Sequence, residues 1–223
     1  MRYFSALLLL LLAACSADDS DQPSYSYLAL GDSYTIGQSV VEEQRWPEQL
    51  AAALREQGTE IRGPVIVAKT GWTTERLISA IENNGNLGEQ YDLVSLLIGV
   101  NNQFGGRPVS TFIPEFEKLL QMATTLTGGN AERVFVLSIP DYGVTLFGSN
   151  RGPNISAEID IYNTASKTLC DQYGIAYFDI TPISRKAPND PELTASDGLH
   201  PSGKMYAQWV DLIREDISKL LNR

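Results

Sequence analysis

Leu28-Ala29-Leu30-Gly31-Asp32-Ser33-Tyr34-Thr35-Ile36-Gly37 is the stretch on which the fold turns. An apolar run halts at Gly-Asp-Ser, the pattern of a short buried strand ended by glycine. Ser33 follows the strand end, where a hydroxyl can face a cleft. The same residues also fit a plain strand-to-helix turn in which Asp32 or Ser33 caps the helix. The rest of the chain has to separate the two.

Downstream, four more short apolar runs occupy residues 65–68, 93–98, 134–137 and 175–178. Helical patterns separate them. Trp46-Pro47 opens one that reaches about residue 57, with Trp46, Leu50 and Leu54 on one face. Others are expected over 74–81, 109–126 and 155–173. In the 109–126 pattern Val109, Phe112, Ile113, Phe116, Leu119, Leu120, Ala123 and Leu126 recur at helical spacing, and Pro114 suggests a start a few residues later. Pro201 or Ser202 opens a final helix with Met205, Trp209, Leu212, Ile213, Ile217 and Leu220 turned inward. Uniformly apolar strands between amphipathic helices predict an α/β fold around a five-stranded parallel sheet covered on both faces.

At the N-terminus, Arg2 precedes a leucine-rich run too short to span a bilayer, which reads as a secretory signal. It ends in Leu12-Ala13-Ala14-Cys15, which resembles a bacterial lipobox with cleavage before a lipidated Cys15. An ordinary small-residue cleavage site followed by an incidental cysteine is the other reading. Ser16 after the cysteine favours the outer membrane, and acyl chains on Cys15 would anchor the protein without spanning the bilayer. Residues 15–26 read as a lipidated cysteine and polar, acidic tether, and 27–223 as one domain. Removing residues 1–14 of the 223 leaves 209 and takes the formal net charge from -10 to -11. That acidity argues against nucleic acid as a partner. Cys170, the one other cysteine, falls on an apolar helix face and reads as an inert buried thiol. With a single histidine and no zinc-binding spacing, no metal site is expected.

Ligands of open parallel α/β sheets bind beyond the carboxyl ends of the strands. Ser33 follows the first strand, Gly71 the second, Asn101 the third, and Asp141-Tyr142 the fourth, while Asp197-Gly198-Leu199-His200 lies in the loop after the fifth. Serine needs an adjacent base, and His200 is the only imidazole in the chain. Asp197, three residues before it, can turn back across Gly198 to hold one ring nitrogen. Gly71, the Ser33 backbone N–H and the Asn101 amide are candidate oxyanion donors. Taken singly, each of these groups also fits an ordinary turn.

Together these blocks resemble the SGNH hydrolases, also called the GDSL esterase/lipase family: Gly31-Asp32-Ser33, Gly71, Gly99-Val100-Asn101 and Asp197-Gly198-Leu199-His200, in order, from about Tyr27 to the C-terminus. The resemblance implies a three-layer α/β/α flavodoxin-like fold and ester hydrolysis through an acyl-enzyme, with no metal and no cofactor. It implies Ser33 as nucleophile, His200 as base, Asp197 as its partner, and Ser33, Gly71 and Asn101 as the oxyanion hole. The family's third block usually reads Gly-x-Asn-Asp; here Asn102 stands in place of the aspartate, which puts the local loop geometry in question. Tyr34 stands where leucine is usual.

The expected activity is hydrolysis of acyl esters, including lysophospholipid or thioester substrates. A carbohydrate O-acetylesterase is the alternative, and a non-catalytic binding lipoprotein ranks below both. Trp72, Phe104, Tyr142, Leu146 and Phe147 lie in the loops at the working edge and are candidates to line an acyl pocket, or simply to pack the core. The expected partners are a small-molecule ester and, through the anchor, a membrane; the chain is expected to be a monomer.

Overall fold

The computed structural model of the chain describes residues 24–85, 87–88 and 90–222. The expected secretory leader, Cys15 and most of the expected tether lie outside those residues. Five strands form one parallel sheet: β1 (Tyr27–Gly31), β2 (Val65–Ala68), β3 (Leu93–Leu97), β4 (Val134–Leu137) and β5 (Ala176–Phe178), in the order β2-β1-β3-β4-β5. Leu28 pairs with Val65 on one side and Val94 on the other, so β1 is central. Every residue of β1, β3 and β4 is buried, as strands covered on both faces require.

The helices are α1 (Ser33–Ile36), α2 (Trp46–Glu56), α3 (Thr74–Glu82), α4 (Val100–Phe104), α5 (Val109–Leu126), α6 (Ile155–Tyr173), α7 (Thr181–Ser184) and α8 (Gly203–Leu221). The chain steps from β1 to β2, then back past β1 to β3 and onward to β5. Right-handed crossovers therefore place α2 on one face and α3, α5 and α6 on the other. Packing agrees: α2 lies against α8, and α5 contacts both α3 and α6. The core holds Trp46, Trp209, Tyr27, Tyr206, Phe112, Phe116 and Phe135, all fully buried.

Three local expectations change. The helix at Val109 begins there despite Pro114. Phe112, buried between Phe116 (ring centroids 5.1 Å) and Tyr162 (4.7 Å), anchors the turn ahead of the proline. Ile113 sits at the edge of the buried stripe and is exposed. Leu212 likewise faces solvent at 49 % exposure, and Tyr206 and Val210 complete the inward face of α8 instead. That face runs through residues four apart (209, 213, 217), and Leu212 falls outside it. Ser202 caps α8, its hydroxyl accepting from the Met205 N–H at 3.3 Å.

The strand order reverses between β1 and β3, each of which continues into a different crossover. A crevice opens beyond the carboxyl ends of these two strands.

Candidate active site

Ser33 enters this crevice at the first position of α1. Asp32 caps that helix, its Oδ1 accepting from the Tyr34 N–H at 3.0 Å. The turn is tight: a Cβ on Gly31 would lie 2.2 Å from Thr35 Oγ1 and 2.5 Å from the Leu97 carbonyl, so only glycine fits. Asp32 is fully buried, and burial pushes its carboxyl up to about 7 against the hydrogen bonds from Tyr34 and Asn101. The Ser33 hydroxyl takes no protein partner among the described residues.

The loop carrying Asp197 and His200 is cinched at its base by a bridge between Thr194 and Pro201 and by Ala195 N–H donating to the His200 carbonyl at 2.7 Å. Gly198, at φ +70°, reverses the chain. His200 Nδ1 then lies 2.6 Å from Asp197 Oδ2, while Asp197 Oδ1 accepts the Leu199 and His200 backbone N–H groups, both at 2.9 Å. A second donor reaches Oδ2: the Ser39 hydroxyl at 2.5 Å. Partial burial works to raise the Asp197 pKa, but these hydrogen bonds outweigh it and hold the carboxyl well below its usual range. An imidazole that donates from Nδ1 keeps Nε2 as an acceptor. Tyr34 packs edge-on against the ring at 5.8 Å.

Asn101 is the second residue of α4, which is capped by Gly99, whose φ of +125° and contact with Phe112 and Ile139 leave no room for a side chain. Asn101 Nδ2 donates to the Trp72 carbonyl at 2.9 Å and approaches Asp32 Oδ2 at 3.4 Å. One amide hydrogen thus fixes the side chain and the second has only a long contact. Gly71 sits at φ +80° with open space where a Cβ would project.

Ser33, Gly71, Asn101 and His200 all line one cleft of about 150 Å³, with Tyr34, Thr70, Val100, Phe104, Tyr142, Phe147 and Leu199 completing its walls. Of the five aromatic and aliphatic candidates, Phe104, Tyr142 and Phe147 reach the cleft. Trp72 instead packs partly buried against the core, and Leu146 turns outward, 76 % exposed. Tyr34, Thr70, Val100 and Leu199 were missed as lining residues, although each neighbours a singled-out residue. Asp141, expected at the rim, is buried beneath it. It accepts from Arg185 Nε at 2.9 Å and from the Gly143 N–H at 2.8 Å, and so props the loop that carries Tyr142. Cys170 is buried, which pushes its thiol up to about 12.

A doubly wound sheet that gathers Ser33, Gly71, Asn101 and His200 in one cleft at its switch point suits ester hydrolysis. The chain belongs to the GDSL-like lipase/acylhydrolase family, whose model matches residues 29–208. It is 26 % identical to an arylesterase of Vibrio mimicus over 99 % of this chain and all of that one. Its fold is similar to that of a lipase/acylhydrolase from Enterococcus faecalis (TM-score 0.69, 20 % identity, 87 % of this chain and 96 % of that one). It is also similar to a variant of Axe2, an acetyl-xylooligosaccharide esterase from Geobacillus (TM-score 0.67, 17 % identity, 86 % and 94 %).

Proposed function

We propose that the protein hydrolyses esters of short acyl or aryl groups through an acyl-enzyme on Ser33. The observation that carries this is the convergence of Ser33, Gly71, Asn101 and His200 on one cleft, with Asp197 holding Nδ1 of His200 at 2.6 Å. Ser33 attacks the carbonyl as His200 Nε2 takes its proton. Asp197 stabilises the imidazolium and fixes its tautomer. The backbone N–H groups of Ser33 and Gly71 and the Asn101 Nδ2 receive the charge on the carbonyl oxygen. His200 returns the proton to the leaving alcohol, then activates a water that releases the acid.

Cleft size supports a small acyl group. An apolar-walled space of about 150 Å³ suits a group about as large as benzene. It favours a short acyl or aryl group over the long chain of a lysophospholipid. The likeness to an arylesterase supports the same choice. An acetyl group on a carbohydrate is the second reading, because the same volume admits it. Anchoring through a lipidated Cys15 belongs to the proposal on the strength of the sequence alone, and loss of fatty-acid labelling in Cys15→Ser tests it.

The main test offers p-nitrophenyl esters of graded chain length, phenyl acetate and acetylated xylo-oligosaccharides. Turnover confined to the short-chain p-nitrophenyl esters and phenyl acetate, with a fluorophosphonate adduct located on Ser33 by mass spectrometry, is expected. Turnover that survives Ser33→Ala, or an adduct elsewhere, overturns the mechanism. Turnover of the acetylated sugar alone selects the second reading.

A further inference from the structure

Ser39 is the only residue other than glycine at positive φ among the described residues, at +70°. Non-glycine residues occupy that region sparsely, and such outliers cluster at functional sites. Ser39 is exposed, so no packing accounts for it. What the conformation achieves is a contact 158 positions away along the chain: the Ser39 hydroxyl donates to Asp197 Oδ2 at 2.5 Å. That oxygen is the one facing His200 Nδ1. The adjacent Gln38 is tied to the other wall of the cleft, its Oε1 accepting from Thr70 Oγ1 at 2.7 Å, one residue before Gly71. Gln38 N–H in turn donates to the Ser33 carbonyl at 3.0 Å. One short segment after α1 therefore bridges the loops that bear Ser33, Gly71 and Asp197.

Asp197 Oδ1 is held by two backbone N–H groups, so its other oxygen depends on side chains alone. We propose that Ser39 is a positioning residue of the hydrolytic centre, its hydroxyl fixing the Asp197 oxygen that orients the His200 imidazole. The proposal rests on the triad reading above. A hydrogen bond donated to a carboxylate also draws off part of its charge. Removing Ser39 leaves Asp197 in place through its backbone bonds and presents a stronger negative charge to the imidazole, which then holds its proton to higher pH.

The titratable groups around this pair are Asp32 and Tyr34 at the start of α1, Tyr142 after β4 and Tyr206 on α8. Burial raises all three tyrosines further above their ordinary value of 10. Burial pushes Asp32 up to about 7, and its hydrogen bonds, to Tyr34 and Asn101, do not involve Ser39.

The experiment compares wild type, Ser39→Ala and Ser39→Gly by kcat, KM and pH profile. His200 is the sole histidine, so its ring protons report its titration directly by NMR. Both variants are expected to lose roughly tenfold to a hundredfold in kcat with KM little changed, as for one lost hydrogen bond to a charged group. The acid limb of kcat/KM and the His200 titration are expected to move to higher pH together. Ser39→Gly, which relieves the backbone, should melt no lower than Ser39→Ala. Profiles superimposable on wild type, an acid limb moved to lower pH, or full activity in Ser39→Gly would overturn the proposal. Ser33→Ala and His200→Ala run alongside: if these keep activity, the triad reading has failed and takes the Ser39 proposal with it. If they lose activity while Ser39 variants behave as wild type, only the Ser39 proposal has failed.

Discussion

The side-chain amide of Asn102 faces Thr74 along both of its hydrogen-bonding edges: Oδ1 accepts the Thr74 backbone N–H at 3.0 Å, and Nδ2 donates to the Thr74 hydroxyl at 2.6 Å. That hydroxyl donates onward to Glu115 Oε2, which Asn102 Nδ2 also approaches at 3.4 Å. Asn102 is fully buried, and Arg107 lies between Glu115, at 4.0 Å, and Glu75, at 3.2 Å. The network joins the start of α3, just past Gly71, to the start of α4, just past Asn101. The departure from the usual family pattern at position 102 thus has a local cause, because α5 already supplies a carboxylate at this spot.

Asn102→Asp should destabilise the protein. The new carboxylate could not donate to Thr74 and would face Glu115 in a buried setting, at a cost of roughly 1–3 kcal/mol. For a chain of this size that is a fall of roughly 3–10 °C in Tm. Circular dichroism melts at neutral pH measure it. The double variant Asn102→Asp/Glu115→Gln should recover most of the loss, and a double variant no better than the single one would refute the like-charge explanation.

The sheet was legible because each strand is a short, wholly apolar run and each helix keeps one apolar face. The rule for parallel sheets places the residues at strand ends at one rim from sequence alone. Contacts with no spacing signature were not legible. Ser39 and Asp197 are 158 residues apart, and neither the φ of Ser39 nor its hydrogen bond leaves a mark on the local sequence. The Asn102–Glu115 pairing is equally silent. Aromatic composition marked the loops that wall the cleft but not which side chains turn inward: Trp72 went to the core and Leu146 to solvent.

Asp32 makes stability depend on pH in the direction opposite to most carboxylates. Its folded value, near 7, lies above the ordinary 3.8, so between those values the folded chain holds a proton that the unfolded chain has lost. Stability therefore rises as pH falls from 7 towards 4 through this group, and its full burial cost applies above 7. Asp32→Asn cannot ionise, and its Oδ1 can still accept the Tyr34 N–H. It should melt higher than wild type at pH 8, by the equivalent of a few kcal/mol at most, with the gap closing towards pH 4. Urea titrations at pH 4, 6 and 8 check this, and a gap that does not change with pH would contradict it.

Asp197 works the other way. Its folded pKa is depressed, so its contribution is complete above the ordinary carboxylate value and is lost as pH falls through the folded one. Asp197→Asn should therefore melt below wild type at pH 7, with the difference shrinking in strong acid. It should also lose roughly a hundredfold to ten-thousandfold in kcat, because an amide can present a hydrogen to Nδ1 and favour the wrong tautomer. Steady-state kinetics and melts on one preparation test both. Retained activity would remove Asp197 from the mechanism.

The aromatic wall of the cleft yields the last prediction. Phe104 and Phe147 stack with centroids 6.3 Å apart, Tyr142 lies 6.0 Å from Phe104, and the Arg151 guanidinium sits 4.5 Å from both phenylalanine centroids. The Phe147 N–H donates to the Gly198 carbonyl at 3.1 Å, which ties this wall to the loop bearing His200. The backbone tie survives Phe147→Ala, so the variant should keep the catalytic geometry while losing the wall. One methylene of fit in an apolar pocket is worth roughly 1–3 kcal/mol. Phe147→Ala should accordingly lose roughly tenfold in kcat/KM on acetyl and phenyl esters and move its preferred acyl chain two to four carbons longer, on the order of one phenyl ring's length. Arg151→Ala, which removes only a cation from the exposed side of the rings, should change rates by less than about fivefold. The ratio of kcat/KM for butyrate and octanoate p-nitrophenyl esters reads the shift. The same ratio in wild type and Phe147→Ala would mean that the acyl group binds elsewhere.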